Sequence, residues 1–204
     1  MSKYYLLDKQ EVLDYAFYPC NECSEPPSYA MDILIPVEED IRVACRFYLA
    51  DAGYPSLLFF HGNGEVASDY DSIAPFFFKT NVNLIVAEFR GYGVSNGKPT
   101  FASVISDART ILFAVNKELA KRDFQKALYV MGRSIGSVSA LELAHYHTKE
   151  FHGLIIESGF PCASRIARRV WSTLAPRGYQ ACRRRVPREN SQYYNSCLNH
   201  PRSQ

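Results

Sequence analysis

A chain of 204 residues, 47% apolar and 14% aromatic, has the material for one domain with a sizeable core. No apolar run approaches the length of a membrane span, and the first residues lack the apolar stretch of a secretory leader. The expectation is a soluble cytoplasmic protein with no transmembrane segment. The net charge of +2 conceals two unlike parts: residues 162–204 hold nine Arg, no Lys and one acid, a charge of +8, which leaves −6 on residues 1–161.

The six cysteines divide evenly between those parts: Cys20, Cys23 and Cys45, then Cys162, Cys182 and Cys197. Cys20-Asn-Glu-Cys23 has the spacing of half a zinc site, but no second pair matches it. No metal site is expected, and the thiols are expected to be reduced.

Residues 1–30 form a leading segment closed by Pro26-Pro27. Met31–Pro36 and Ile41–Tyr48 flank the turn Glu38-Glu39-Asp40 and predict an antiparallel hairpin at a sheet edge. Pro55-Ser-Leu-Leu-Phe-Phe60 is a continuous apolar run, the pattern of a strand covered on both faces. It ends in the glycine-rich His61-Gly-Asn-Gly-Glu65. Val66 to Lys79 has helical character, and Val82–Ala87 is the next strand. A turn-rich loop follows, Glu88-Phe-Arg-Gly-Tyr-Gly-Val-Ser-Asn-Gly-Lys-Pro99.

Val104, Ala108, Ile111, Leu112, Val115 and Leu119 recur at steps of three and four and predict an amphipathic helix. Two more strands follow, Ala127–Met131 and Phe151–Gly159, the second expected to be short and buried. Strand and helix alternate from residue 55 to 159, which implies a mostly parallel α/β sheet with right-handed crossovers. The pattern stops at Phe160-Pro161. From Cys162 neither periodicity persists, and prolines at 176, 187 and 201 break what is left, so an Arg-rich, disordered tail is expected.

The stretch around which the chain is organised is Gly132-Arg-Ser-Ile-Gly136, between an apolar strand and a helix carrying Val138, Leu141 and Ala144. A serine on a tight strand-to-helix turn projects its hydroxyl clear of the backbone, and glycines on either side relieve the crowding. The helix that follows directs free N–H groups at the same place, where negative charge on a substrate oxygen is stabilised.

Three motifs in order, His61-Gly-Asn-Gly-Glu65, Phe89-Arg-Gly-Tyr-Gly-Val-Ser95 with Gly97-Lys-Pro99, and Gly132-Arg-Ser-Ile-Gly136, resemble the α/β-hydrolase superfamily. The resemblance is to serine hydrolases related to acyl-protein thioesterases of the α/β-hydrolase domain-containing 17 type and their bacterial relatives, and it covers residues 30–160. It implies Ser134 as nucleophile, with the N–H of Ile135 and the Asn63 loop forming the oxyanion hole. It further implies hydrolysis of an ester or thioester through an acyl-Ser134 intermediate, on a small-molecule or acylated substrate, without cofactor or metal. In the motif His61 orders its loop, and Arg90 and Tyr92 fix loop geometry. Phe76-Phe-Phe78 is read as packing between helix and sheet rather than as an acyl pocket.

The acid and base of a triad follow the serine in this fold, in the order Ser, Asp/Glu, His. No Asp follows Ser134; the Glu residues are 142, 150, 157 and 189, the His residues 145, 147, 152 and 200. Glu142, His145, His147 and Glu150 travel away from the site along the helix at ~1.5 Å per residue. His152 opens its strand at the opposite end. Only Glu157, at the carboxyl end of that strand, is well placed by topology, and only His200 follows it. The expectation is therefore an incomplete α/β-hydrolase domain, residues 1–161, lacking the C-terminal strands of the full fold and impaired in catalysis, followed by the tail 162–204. The abrupt change at Cys162 points to a shifted reading frame or a chain cut short.

The alternative is a hydrolase fold kept as a non-catalytic binding module, with Ser134 idle. Nine Arg attract phosphate, but no folded recognition motif accompanies them, so no specific nucleic-acid partner is expected. The sequence gives no oligomeric state.

Overall fold

The computed structural model describes residues 7–124 and 126–159. The expectations for the tail 162–204, including His200, fall outside them. Helix α1 (Gln10–Ala16) precedes a hairpin of β1 (Ala30–Pro36) and β2 (Arg42–Tyr48), paired antiparallel from Ala30↔Tyr48 to Pro36↔Arg42. The hairpin lies at a sheet edge, as the sequence predicts. Helix α1 has no counterpart in the sequence reading: it is 7 residues long and buries one side chain, Val12, too short to show a period.

Two apolar runs make the sheet centre. Strands β3 (Ser56–Phe60) and β4 (Asn83–Ala87) are buried at every position and pair in parallel from Ser56↔Asn83 to Phe60↔Ala87. Both faces are covered, which is why neither strand alternates. The stretch between them departs from the single helical segment expected over 66–79. A 3₁₀ turn, Ala67–Tyr70, is followed after a break by α2 (Ala74–Lys79), with Pro75 in the first turn of the second helix. Proline's ring is tolerated there, whereas in a continuous helix it would remove a bond and clash with the preceding turn.

Helix α3 (Phe101–Lys121) buries Val104, Ala108, Ile111, Leu112, Val115 and Leu119, the predicted stripe. It starts at Phe101 because Thr100 caps it. Thr100 Oγ1 accepts the Ser103 N–H at 2.9 Å and Ser103 Oγ accepts the Thr100 N–H at 2.8 Å, a reciprocal box. Then come β5 (Leu128–Arg133), α4 (Gly136–Tyr146) and β6 (Gly153–Glu157).

The strand order is β1-β2-β4-β3-β5-β6, with β4, β3, β5 and β6 parallel. The fold is a mostly parallel mixed sheet flanked by helices. One apolar layer joins the sheet to α3 and α4 through Leu58, Phe60, Ile85 and Val130; the other lies under the 3₁₀ turn and α2 through Leu57, Phe59, Leu84 and Val86. Phe77 and Phe78 pack on that second layer and Phe76 is exposed, in keeping with a packing role.

One strand differs from expectation. β6 is not buried: Leu154, Ile155 and Ile156 are 37%, 46% and 39% exposed. Among the described residues β6 is the last strand of the sheet and pairs with β5 alone. An apolar run reads the same whether or not a neighbour covers it.

Candidate active site

Parallel strands bring their carboxyl ends to one edge of the sheet, where the chain leaves them in loops. Here that edge collects His61 after β3, Glu88 after β4, Ser134 after β5 and Glu157 at the end of β6.

Ser134 lies between β5 and α4 with φ 49°, in the left-handed region that non-glycine residues rarely enter. Neighbouring bonds hold the strained turn. The Ser134 N–H donates to Glu157 O at 3.0 Å, and Ser134 O accepts from the Ser137 N–H at 3.1 Å and the Ser137 hydroxyl at 2.6 Å. The two flanking glycines are needed for space. A Cβ on Gly136 would run into the Phe60 carbonyl oxygen and lie 2.6 Å from that of His61, and one on Gly132 would lie 2.5 Å from Gly136 O. The elbow is thus wedged against the end of β3. Ser134 is half-buried, and its hydroxyl has no hydrogen-bond partner among the described residues.

Register places the second loop beside the elbow. Phe60 pairs with Gly132, so His61-Gly62-Asn63 and Arg133-Ser134-Ile135 leave the sheet side by side. The backbone N–H groups of Asn63 and Ile135 have no hydrogen-bond partner among the described residues. Ile135 is the N-cap of α4, where free N–H groups are intrinsic to the helix start. The Asn63 side chain, by contrast, is held at both its oxygen and its nitrogen. Its Oδ1 accepts from the Tyr92 hydroxyl at 2.6 Å and the Tyr18 N–H at 2.9 Å, and its Nδ2 donates to Ala16 O at 2.9 Å.

His61 is fully buried. Its Nδ1 donates to Gly62 O at 2.8 Å, and its Nε2 lies 2.9 Å from Glu88 Oε2. Burial alone would lower the imidazole pKa; the Glu88 carboxylate outweighs it and holds the pKa above its ordinary value. Glu88 Oε1 accepts the Ala67 N–H at 2.7 Å, so the pair ties the ends of β3 and β4 to the 3₁₀ turn. His61 orders its loop and has no nitrogen left for a substrate. Arg90 likewise serves geometry: it grips Asp107 of α3 with two bonds of 2.7 Å and reaches Glu38 at 2.8 Å.

Glu157 sits opposite Arg133 in the β5–β6 register, one residue from Ser134. Its carboxylate accepts from Arg133 Nε at 3.1 Å. Glu142 and His147 line a groove between α3 and α4 with Ile105, Ser106, Arg109 and Tyr146, along the helix and away from the elbow. His152 opens β6 at the far end, its N–H bonded to Leu128 O at 2.6 Å. Among the described residues, no group of three or more His, Cys, Asp or Glu is arranged to hold a metal ion.

The sequence reading gave no role to Glu88, Glu65 or Tyr70, and did not anticipate that Glu157 pairs with Arg133. Position was the available signal for Glu88, which directly follows the buried run Val82–Ala87 at the active-site edge.

The family model described as serine aminopeptidase, S33, a hydrolase family, matches residues 55–193. This chain belongs to that α/β-hydrolase family. The matched span runs past Pro161 into the Arg-rich segment. The chain is 31% identical over 132 residues to human alpha/beta hydrolase domain-containing protein 17B, covering 62% of this chain and 43% of that protein. It is 30% identical over 108 residues to protein bem46 of Schizosaccharomyces pombe, covering 52% and 35%. It therefore spans less than half the length of these curated relatives. The fold is shared with the Pyrococcus furiosus esterase Pf2001, at a TM-score of 0.56 and 20% identity over 72% of this chain and 57% of that one. No helix among the described residues is long and apolar enough to cross a membrane.

Proposed function

We propose that this hydrolase-family chain acts on an ester or thioester of a small-molecule or acylated substrate through an acyl-Ser134 intermediate. The observation that carries the reading is Ser134 itself: a serine in the left-handed region, wedged between two glycines, with N–H groups on both adjoining loops that have no partner among the described residues. In the proposed step Ser134 Oγ bonds to the carbonyl carbon, and the carbonyl oxygen takes up negative charge facing the N–H groups of Asn63 and Ile135. Losing one such donor typically costs about 3 kcal/mol in the barrier. The hydroxyl proton passes to a base, and collapse of the adduct expels the alcohol or thiol. No cofactor enters the scheme.

The base is the weak element of the proposal. Glu157 and His200 stand in the required order, but the Glu157 carboxylate is paired with Arg133. We therefore infer an enzyme impaired in catalysis, because the base that would deprotonate Ser134 is not supplied among the described residues. The same pairing favours the second reading, a hydrolase fold retained for binding. We also propose that the domain ends near residue 161 and that the Arg-rich segment is a separate tail. Cys20, Cys23 and Cys45 are free thiols, which suits a reducing cytoplasm.

A fluorophosphonate probe separates the two readings. Labelling of the wild-type chain that disappears in Ser134→Ala supports the nucleophile; equal labelling of both, or none of either, supports the binding module.

A further inference from the structure

Arg133, the residue before the candidate nucleophile, spends its guanidinium on three elements. Its Nε donates to Glu157 Oε2 at 3.1 Å, and its Nη1 lies 3.1 Å from the Tyr70 hydroxyl and 3.4 Å from Glu65 Oε1. Its Cζ stacks 5.4 Å from the centre of the Phe59 ring. Glu65 in turn closes the neighbouring loop: its Oε2 accepts the Gly62 N–H at 3.0 Å and the Tyr70 hydroxyl at 2.6 Å. A Cβ on residue 62 would lie 2.7 Å from Glu65 Oε1, so a larger residue there would push the Glu65 carboxylate aside. A continuous set of bonds therefore runs from the elbow to the N–H of Gly62, the residue before Asn63.

Charge gives this arrangement a second consequence. Acyl transfer at Ser134 builds negative charge on the substrate oxygen, and two carboxylates, Glu65 and Glu157, flank the elbow. Left uncompensated, both would oppose that charge. Arg133 faces both of them.

We propose that Glu65 and Arg133 are a positioning pair for the oxyanion hole: Glu65 fixes the Asn63 loop through the Gly62 N–H, and Arg133 locks Glu65 to the elbow while offsetting part of the charge of the two flanking carboxylates. The proposal rests on the reading of Ser134 as nucleophile. The substitution Glu65→Gln keeps a side-chain oxygen that accepts the Gly62 N–H and removes both the charge and the second oxygen that faces Arg133. The pair is therefore coupled in a way that simple scaffolding is not.

The experiment uses the full chain and two readouts: the rate of Ser134 labelling by a fluorophosphonate, and amide hydrogen exchange of the 61–65 segment. Arg133→Gln is expected to slow labelling about tenfold or more. Adding Glu65→Gln to it is expected to restore part of that loss, and Arg133→Lys to lose less than Arg133→Gln. Glu65→Ala is expected to speed exchange at Gly62. Where Arg133→Gln melts early, Arg133→Lys alone and with Glu65→Gln carries the comparison. Additive losses in the double variant, or unchanged Gly62 exchange in Glu65→Ala, overturn the positioning pair. Faster exchange in a chain whose Ser134 never labels upholds the link between the loops and overturns the nucleophile.

Discussion

His61 and Glu88 form a buried ion pair, 2.9 Å apart and 0% and 2% exposed, that joins the ends of the two central strands. Both imidazole nitrogens face acceptors, Gly62 O and Glu88 Oε2, which is the environment of a doubly protonated ring. Glu65 adds a smaller pull in the same direction.

The pair makes stability depend on pH with a definite sign. His61 has a raised pKa in the folded state, so the stability it contributes as a cation is complete below the ordinary imidazole value of about 6.5. It is lost as pH rises through the higher folded value. The urea midpoint of the wild-type chain should fall from about pH 6.5 upward. Glu88→Gln removes the anion and leaves a buried histidine that resists charging, so this fall should vanish, at a cost of about 3 kcal/mol. An unchanged slope in Glu88→Gln would show that another group carries it.

Gly136→Ala tests the wedge between the elbow and β3. The added Cβ meets the Phe60 and His61 carbonyl oxygens, both backbone atoms that move only with their strand. The expected cost is about 3 kcal/mol, read as a lowered urea midpoint with an unchanged slope. Gly64→Ala is the control. Nothing lies within 4 Å of its Cβ, and its φ of +76° costs only about 1 kcal/mol. Equal effects at the two positions would contradict the wedge.

The frame of the molecule was readable where burial leaves a periodic or continuous pattern. Leu57–Phe60, the α3 stripe from Val104 to Leu119, and the glycines around Ser134 each follow from local rules. What was missed has physical reasons. Pro75 splits a stretch whose composition is helical throughout, and the apolar residues of β6 carry no mark of an uncovered edge. The ion pairs at the site join residues far apart in sequence, His61 to Glu88 across 27 positions and Glu65 to Arg133 across 68. No short window contains both partners, so charge at Glu88 or Arg133 reads simply as a polar loop.

Tyr92 holds Asn63 through its side chain, whereas Glu65 holds the same loop through the Gly62 N–H. Removing its hydroxyl in Tyr92→Phe leaves Asn63 Oδ1 with the Tyr18 N–H alone. A loss of about 1 kcal/mol in stability is expected, with slower Ser134 labelling. Asn63→Ala should behave alike, because the backbone N–H proposed to face the substrate survives the substitution. A total loss of labelling in Asn63→Ala, in a chain that still melts cooperatively, would mean that the side chain itself touches the reacting group.

The exposed strand β6 predicts association of the isolated chain. A strand with apolar residues on view and an open row of backbone donors and acceptors is a template for pairing with another chain. Ile155 is the most exposed of its three large apolar residues, at 46%. A lysine there adds charge at the edge and sacrifices little burial, so Ile155→Lys should raise solubility and shift sedimentation toward monomer with under about 1 kcal/mol lost in stability. Leu58→Lys is the contrasting substitution: it puts a charge into a fully buried position of β3 and should prevent folding. If wild type and Ile155→Lys sediment alike as monomers, β6 is covered in solution and its exposure does not govern assembly.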